Sequence, residues 1–291
     1  MEKEALFYKI IEKKKKIVQC ELCPHFCVIK NEKRGKCGAR ENREGILYSL
    51  VYGKPCSIAL DPIEKKPLYH FFPGSMTFTI ATVGCNLSCK HCQNWQISQA
   101  EIEKVPFWNV SPEDVIELTK ESKSNIISFS YTEATIFYEY MLDIAKLAKK
   151  EKMKTVMVTN GFINPEPLKK IIDYIDAFNV DLKSINEKFY ENVCGACLLP
   201  VLEALKIIHK SGKHLEITNL IIPRNNDSDE DIIKLVIWVR DNLSSEVPLH
   251  FSAFHPCYNM KNVSSTPPSV VIHAAKLASE LGMKYVHTGN I

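Results

Sequence analysis

Cys85, Cys89 and Cys92 stand in the run Thr82-Val-Gly-Cys-Asn-Leu-Ser-Cys-Lys-His-Cys, a C-x3-C-x2-C spacing directly behind an apolar stretch. Thiolates are soft ligands for iron, and three so close together can hold three irons of a [4Fe–4S] cluster. No fourth cysteine lies nearby, so one iron is left open to a ligand with two donor atoms. An open iron turns an electron-storing cluster into a place where chemistry can occur. Zinc is the weaker reading. A closed zinc site needs four ligands, and His91 is the only other candidate, flanked by cysteine positions.

The chain has 11 cysteines, unevenly placed. Cys20-x2-Cys23-x3-Cys27-x9-Cys37 has the count and density of a four-thiolate metal site, holding either structural zinc or an auxiliary iron–sulfur cluster. Spacing alone does not separate the two. Cys194-Gly-Ala-Cys197 and Cys257 read first as unremarkable thiols; the second reading points them into the substrate end of the barrel, to bind another metal or donate a hydrogen atom. Cys56 carries no message. Clustered cysteines in a chain without a targeting segment indicate metal or redox chemistry rather than disulfides.

The elements that position these groups alternate regularly from Met76 onward. Strand-like runs fall at 77–83, 126–130, 155–158, 177–180, 215–222, 249–254 and 284–287. Amphipathic helical patterns lie between them at 112–122, 136–150, 166–174, 200–211, 229–242 and 268–281. Repeated strand–helix units of this size form a parallel sheet. The fold class expected is α/β, a partial parallel (β/α)6-type barrel over 76–291, preceded by a cysteine-rich N-terminal module over 1–75. Short strands are predicted near 47–52 and 57–60, and 61–70, with its prolines, reads as a polar linker. In parallel sheets ligands collect at the C-terminal ends of the strands. Polar groups recur there: Tyr131-Thr-Glu133, Thr159-Asn160-Gly161, Asp181-Leu-Lys183 and His255, with Thr218 inside the fifth run.

The 291 residues carry 37 Lys and Arg against 34 Asp and Glu, a formal charge of +3. That balance argues against an obligatory nucleic-acid partner. No apolar run approaches the roughly 20 residues of a membrane span. A soluble, cytoplasmic protein is expected.

The three-cysteine loop resembles the signature of the radical S-adenosylmethionine (SAM) superfamily. Further stretches are similar to its pyruvate formate-lyase activating enzyme branch, and more closely to the AmmeMemoRadiSam-system radical SAM proteins. They are Cys20-Glu-Leu-Cys-Pro-His-Phe-Cys27, the run from Asp61 to Pro67, Tyr131-Thr-Glu133, Val158-Thr-Asn-Gly161, Asn179-Val-Asp-Leu-Lys183 and Phe254-His-Pro256. The resemblance implies an oxidoreductase that binds SAM at the open iron of Cys85, Cys89 and Cys92. One electron cleaves SAM to methionine and a 5′-deoxyadenosyl radical, which abstracts hydrogen from a substrate. It implies SAM contacts from Glu133, Asn160, Asp181, Lys183, Thr218 and His255. Thr218 stands where activating enzymes have an arginine, and Val158 where they have an aspartate. Anaerobic operation, a donor such as flavodoxin or ferredoxin, and a protein substrate are implied as well. The first reading is an activase for a glycyl-radical enzyme. The second is a modification enzyme for another protein or a small molecule, and an iron–sulfur carrier or scaffold comes third. Related chains are expected to continue past Ile291 with a further cysteine pair.

Overall fold

The computed structural model describes residues 2–291. Its main sheet has eight strands: β1 (Ser57–Pro62), β2 (Met76–Ala81), β3 (Ile126–Phe129), β4 (Lys154–Thr159), β5 (Ala177–Asp181), β6 (His214–Ile221), β7 (Leu249–Ala253) and β8 (Val286–Gly289). They lie in sequence order across the sheet. From β2 to β8 every neighbouring pair is parallel. β1 is antiparallel to β2. The outer strands β1 and β8 do not pair with each other, so the barrel is partial and open on one side.

Helices α1 (Pro112–Glu121), α2 (Tyr138–Lys150), α3 (Pro165–Ile172), α4 (Leu199–Lys210), α5 (Asp229–Asn242) and α6 (Pro268–Glu280) return the chain between strands. Their starts follow local chemistry. Before α1 the Ser111 hydroxyl accepts from Asp114 N–H while the Asp114 carboxylate accepts from Ser111 N–H, and Pro112 occupies the first helical position, satisfying donors the helix cannot. Covered on both faces, β3 is buried at every position, as central parallel strands are. Among the described residues no single helix is long and apolar enough to cross a membrane.

The seven expected parallel strands and the six expected helices are all present, with β8 two residues later than predicted. The N-terminal region holds more strand than expected. One three-stranded antiparallel sheet joins Lys3–Glu4, Ile46–Ser49 and Arg40–Arg43; another joins Tyr8–Glu12, Ile17–Cys20 and Val28–Ile29. These strands are short, expose apolar residues (Ile10, Ile11, Val28 and Ile46) and bury polar ones (Arg40, Asn42 and Ser49), which hides their period-2 signal. The division expected between 75 and 76 passes between two paired strands, because β1 belongs to the main sheet. The module docks on α2 through a buried Arg40–Glu139 ion pair at 2.5 Å, to which Leu6 N–H adds a 2.7 Å bond.

The stretch read as a linker is a wall of the barrel. Residues Ile63–Lys65 form one 3-10 turn, Lys66 and Leu68 are buried, and Pro67 carbonyl accepts from Asn179 of β5 at 2.8 Å. Asp61 and Lys66 are tolerated inside because Asp61 neutralises Lys66 at 2.8 Å and also accepts from the Tyr131 hydroxyl.

Candidate active site

The loop after β2 carries Cys85, Cys89 and Cys92. Its start requires glycine: Gly84 has φ +109°, and a Cβ there would stand 2.8 Å from the Cys37 carbonyl oxygen. The loop is pinned from outside by Ser88 N–H and Lys90 N–H, which donate to the carbonyls of Cys194 and Val193 at 2.9 Å. Gly195 fits there because a side chain would collide with Ser88 Oγ, 2.3 Å from the Cβ position.

The three sulfurs are surrounded by donors. Leu87 N–H reaches Cys85 Sγ at 3.4 Å and Asn160 Nδ2 reaches it at 3.8 Å. Ser98 Oγ lies 3.1 Å from Cys92 Sγ. A hydrogen bond from the Cys194 thiol pulls the Cys89 thiol below its ordinary value, against the opposing effect of burial. Donors of this kind favour sulfur in its thiolate form, the form that binds iron, although burial outweighs them at Cys85 and Cys92 and pushes both thiols above their ordinary value. The residues present therefore fit an iron–sulfur cluster. Among the described residues no group of three or more His, Cys, Asp or Glu side chains is drawn around a single-ion position.

Above the loop lies a cavity of about 530 Å³, within the range of small-molecule sites. Cys85, Cys89, Cys92, Glu133, Asn160, Asp181, Lys183 and Thr218 all line it, with Val158. Strands β2 to β6 thus bring together the groups predicted at their ends.

Glu133 is a structural hub. Its carboxylate accepts from Thr135 N–H (2.9 Å), Thr135 Oγ1 (2.6 Å), Thr159 Oγ1 (2.7 Å) and Asn160 N–H (2.8 Å). Burial still pushes its carboxyl above the ordinary value. The bonds tie the end of β3 to the end of β4. They hold Asn160, whose amide donates to Asn86 Oδ1 at 2.9 Å, beside the cluster loop. Tyr131 precedes Glu133 with φ +66°, a strained turn conformation for an aromatic residue, fixed by Asn94 donating to its carbonyl at 2.7 Å.

Lys183 pairs with Asp181 at 3.0 Å. Burial pulls its ammonium down, but the charges of Asp181 and Cys89 outweigh this and hold it protonated. Thr218 exchanges hydrogen bonds with Asn179 at 3.0 and 3.1 Å. His255 is exposed and outside the cavity lining, with Nε2 3.2 Å from the Asn290 carbonyl; Asn290 does line it.

The remaining cysteines do not line this cavity. Cys194 is buried behind Cys89, Cys197 is exposed, and Cys257 donates to the His91 carbonyl at 3.2 Å. Cys20, Cys23, Cys27 and Cys37 share a second cavity, with Asn86 and Arg40 in its wall.

A group that the sequence did not reveal borders the large cavity through Tyr69 and His250. Glu216 accepts from Tyr69 N–H (3.0 Å) and His70 N–H (2.8 Å) and bonds His214 (2.8 Å) and His250 (2.6 Å). Burial pushes its carboxyl up, but these four bonds outweigh it and bring it down to about 2. His250 stacks on His287, whose Nε2 meets that of His70 at 2.8 Å. These partners come from four distant segments. A polar residue at alternate positions of an otherwise apolar strand, as at Glu216 and Thr218, was the available signal.

A model of the radical SAM superfamily matches residues 79–236. An uncharacterised protein of Methanocaldococcus jannaschii is 46% identical over 289 residues, covering 99% of this chain and 85% of that one. The pyruvate formate-lyase-activating enzyme of Streptococcus mutans is 25% identical over 177 residues, covering 58% of this chain and 67% of its own. Among solved structures, Streptococcus suis SuiB bound to S-adenosylmethionine aligns with TM-score 0.56 at 15% identity, over 71% of this chain and 48% of SuiB. The same protein bound to precursor peptide SuiA aligns with TM-score 0.57 at 14% identity, over 79% and 51%. At these identities the structural likeness speaks for the fold.

Proposed function

Because the chain belongs to the radical SAM superfamily, we propose that SAM occupies the large cavity, against an iron–sulfur cluster held by Cys85, Cys89 and Cys92. The observation that carries this reading is the convergence of three donor-supported thiols with Lys183, Asp181, Glu133 and Asn160 on one cavity. When bound, the cluster supplies the electron that cleaves SAM to methionine and a 5′-deoxyadenosyl radical. The protein's own residues bind, orient and shield. Lys183, held protonated, offers a cation to the SAM carboxylate. Glu133 fixes the 131–133 turn, whose backbone faces the amino group. Asp181, Thr218 and the His255–Asn290 pair bound the far end, where the adenosine would lie.

The substrate-level reading is hydrogen abstraction by an activase that places a glycyl radical on a partner protein, with a flavodoxin or ferredoxin as donor. Similarity to pyruvate formate-lyase-activating enzymes favours it. Modification of another peptide is the second reading, favoured by the likeness to SuiB with a bound peptide. Cys20, Cys23, Cys27 and Cys37 form a second metal site.

Anaerobic incubation of the reconstituted protein with SAM, dithionite and a candidate partner tests this. The activase reading expects 5′-deoxyadenosine together with a glycyl-radical doublet in the EPR spectrum of the partner. 5′-Deoxyadenosine with a modified peptide and no doublet favours the second reading. No 5′-deoxyadenosine from cluster-loaded protein refutes SAM cleavage itself.

A further inference from the structure

We propose that Asp61 and Lys66 form a clamp that holds Tyr131 in its left-handed turn, and that this clamp sets the affinity for SAM. The role rests on the reading that the 131–133 turn receives SAM. Nothing in SAM cleavage itself calls for the charges of Asp61 and Lys66, yet both are buried, at 4% and 1% exposed. Neither lines the large cavity. Charged residues rarely enter a core unless they are paired. Here carboxylate and ammonium meet at 2.8 Å, and Lys65 reaches the other carboxylate oxygen at 2.8 Å. Such a pair adds little net stability, because removing both charges from water offsets most of their attraction. A positioning role accounts for the pair better than stability does.

Both groups close on one side chain. The Tyr131 hydroxyl donates to Asp61 Oδ2, the oxygen that Lys66 also holds. Lys66 Nζ lies 4.1 Å from the centre of the Tyr131 ring, within range of a cation–π attraction. The three contacts make a closed triangle of ammonium, carboxylate and phenol. Burial pushes the Asp61 carboxyl up, but Lys65, Lys66 and Tyr131 outweigh it and hold the group well below its ordinary value. The tyrosine proton is therefore given to an ionised carboxylate, the stronger kind of hydrogen bond.

What the triangle holds is a strained backbone. Tyr131 has φ +66°, a conformation that glycine takes freely and that a bulky residue keeps only where its surroundings enforce it. Two further bonds fix the same turn. Asn94, two residues after Cys92, donates to the Tyr131 carbonyl at 2.7 Å. Thr132 Oγ1 donates to the Thr82 carbonyl, ahead of Cys85, at 2.8 Å. These tie the turn to both ends of the cysteine loop, and the clamp ties it to the segment before β2. Tyr131 itself lines the cavity with the three cysteines. Without the clamp the side chain is free, and the strained backbone relaxes away from the shape that receives SAM. Lys66 and Asp61 are thus positioning residues that act through Tyr131.

SAM affinity by isothermal titration and the rate of 5′-deoxyadenosine formation are compared at equal iron content. The proteins are the wild type, Lys66→Met, Tyr131→Phe, Tyr131→Gly and the Lys66→Met/Tyr131→Gly double variant. Lys66→Met and Tyr131→Phe are each expected to weaken SAM binding about 10-fold, the loss of one bond to a charged group, with kcat changed less than about 2-fold. In the Tyr131→Gly background, Lys66→Met is expected to change affinity less than about 2-fold, because glycine takes the turn unaided. An equal fold change in both backgrounds overturns the clamp, since Lys66 would then act without Tyr131. Wild-type affinity in Lys66→Met and Tyr131→Phe also overturns it and leaves the SAM reading intact. Should Lys66→Met not fold, Tyr131→Phe, which removes one oxygen, decides. A wild type that carries its full iron but binds no SAM overturns the SAM reading, and the role of the clamp with it.

Discussion

At the scale of single residues, the chemistry rests on groups whose charge state the fold fixes. Lys183 is the clearest. Asp181 and Cys89 keep it protonated in a buried place, where a cation is worth more than at a surface. Replacing it in Lys183→Met is expected to weaken SAM binding about 10-fold or more, since a lost bond to a charged group costs about 1.5–3 kcal/mol. Isothermal titration with SAM, at an unchanged iron count, checks this; equal affinity would remove Lys183 from the site. Cys85, Cys89 and Cys92 were legible because three ligands within eight residues are a local pattern. Partners such as Glu216 and His250, 34 residues apart, or His70 and His287, 217 residues apart, leave no such trace. Cys194 was visible as a thiol, but only folding places it against Cys89.

At the scale of elements, two contacts hold the site in register. Gly84 joins the cluster loop to the cysteine-rich module. Gly84→Ala must move the Cys37 backbone, because a Cβ would lie 2.8 Å from its oxygen at φ +109°. A loss of about 1–3 kcal/mol is expected, with lower iron occupancy at Cys85, Cys89 and Cys92. A urea midpoint and iron content unchanged from wild type would contradict it. Glu216 ties the 63–71 segment to β6 and β7. Its carboxyl drops from an ordinary 4.5 to about 2. The ionised form therefore stabilises the fold above pH 4.5, and that stability is lost as pH falls towards 2, up to about 3 kcal/mol. Denaturation at about pH 5 and about pH 3 should show a smaller difference in Glu216→Gln than in wild type; equal differences would refute the role. The strands and helices of the barrel were readable because apolar strand runs alternate regularly with amphipathic helical ones, even where a strand is as short as β3 or β8. The N-terminal strands were not, being two to five residues long, and 61–70 looked like a linker because its charges and prolines read as a solvated stretch, whereas folding buries Asp61 and Lys66 as a pair.

At the scale of the whole molecule, the open barrel carries one large cavity beside the cysteine loop, proposed to hold SAM, and leaves its outer strands β1 and β8 unpaired with each other. The module closes the back of the cluster loop. SAM cleavage at the three thiols after β2 is the proposal on which every other role depends. It is tested most directly by incubating reconstituted protein with SAM and dithionite under anaerobic conditions, and measuring 5′-deoxyadenosine and methionine. The wild type is expected to form the two in equal amounts, and Cys89→Ala, with its circular-dichroism spectrum unchanged, to form neither. Equal product from Cys89→Ala, or none from wild type carrying its full iron, would contradict the account.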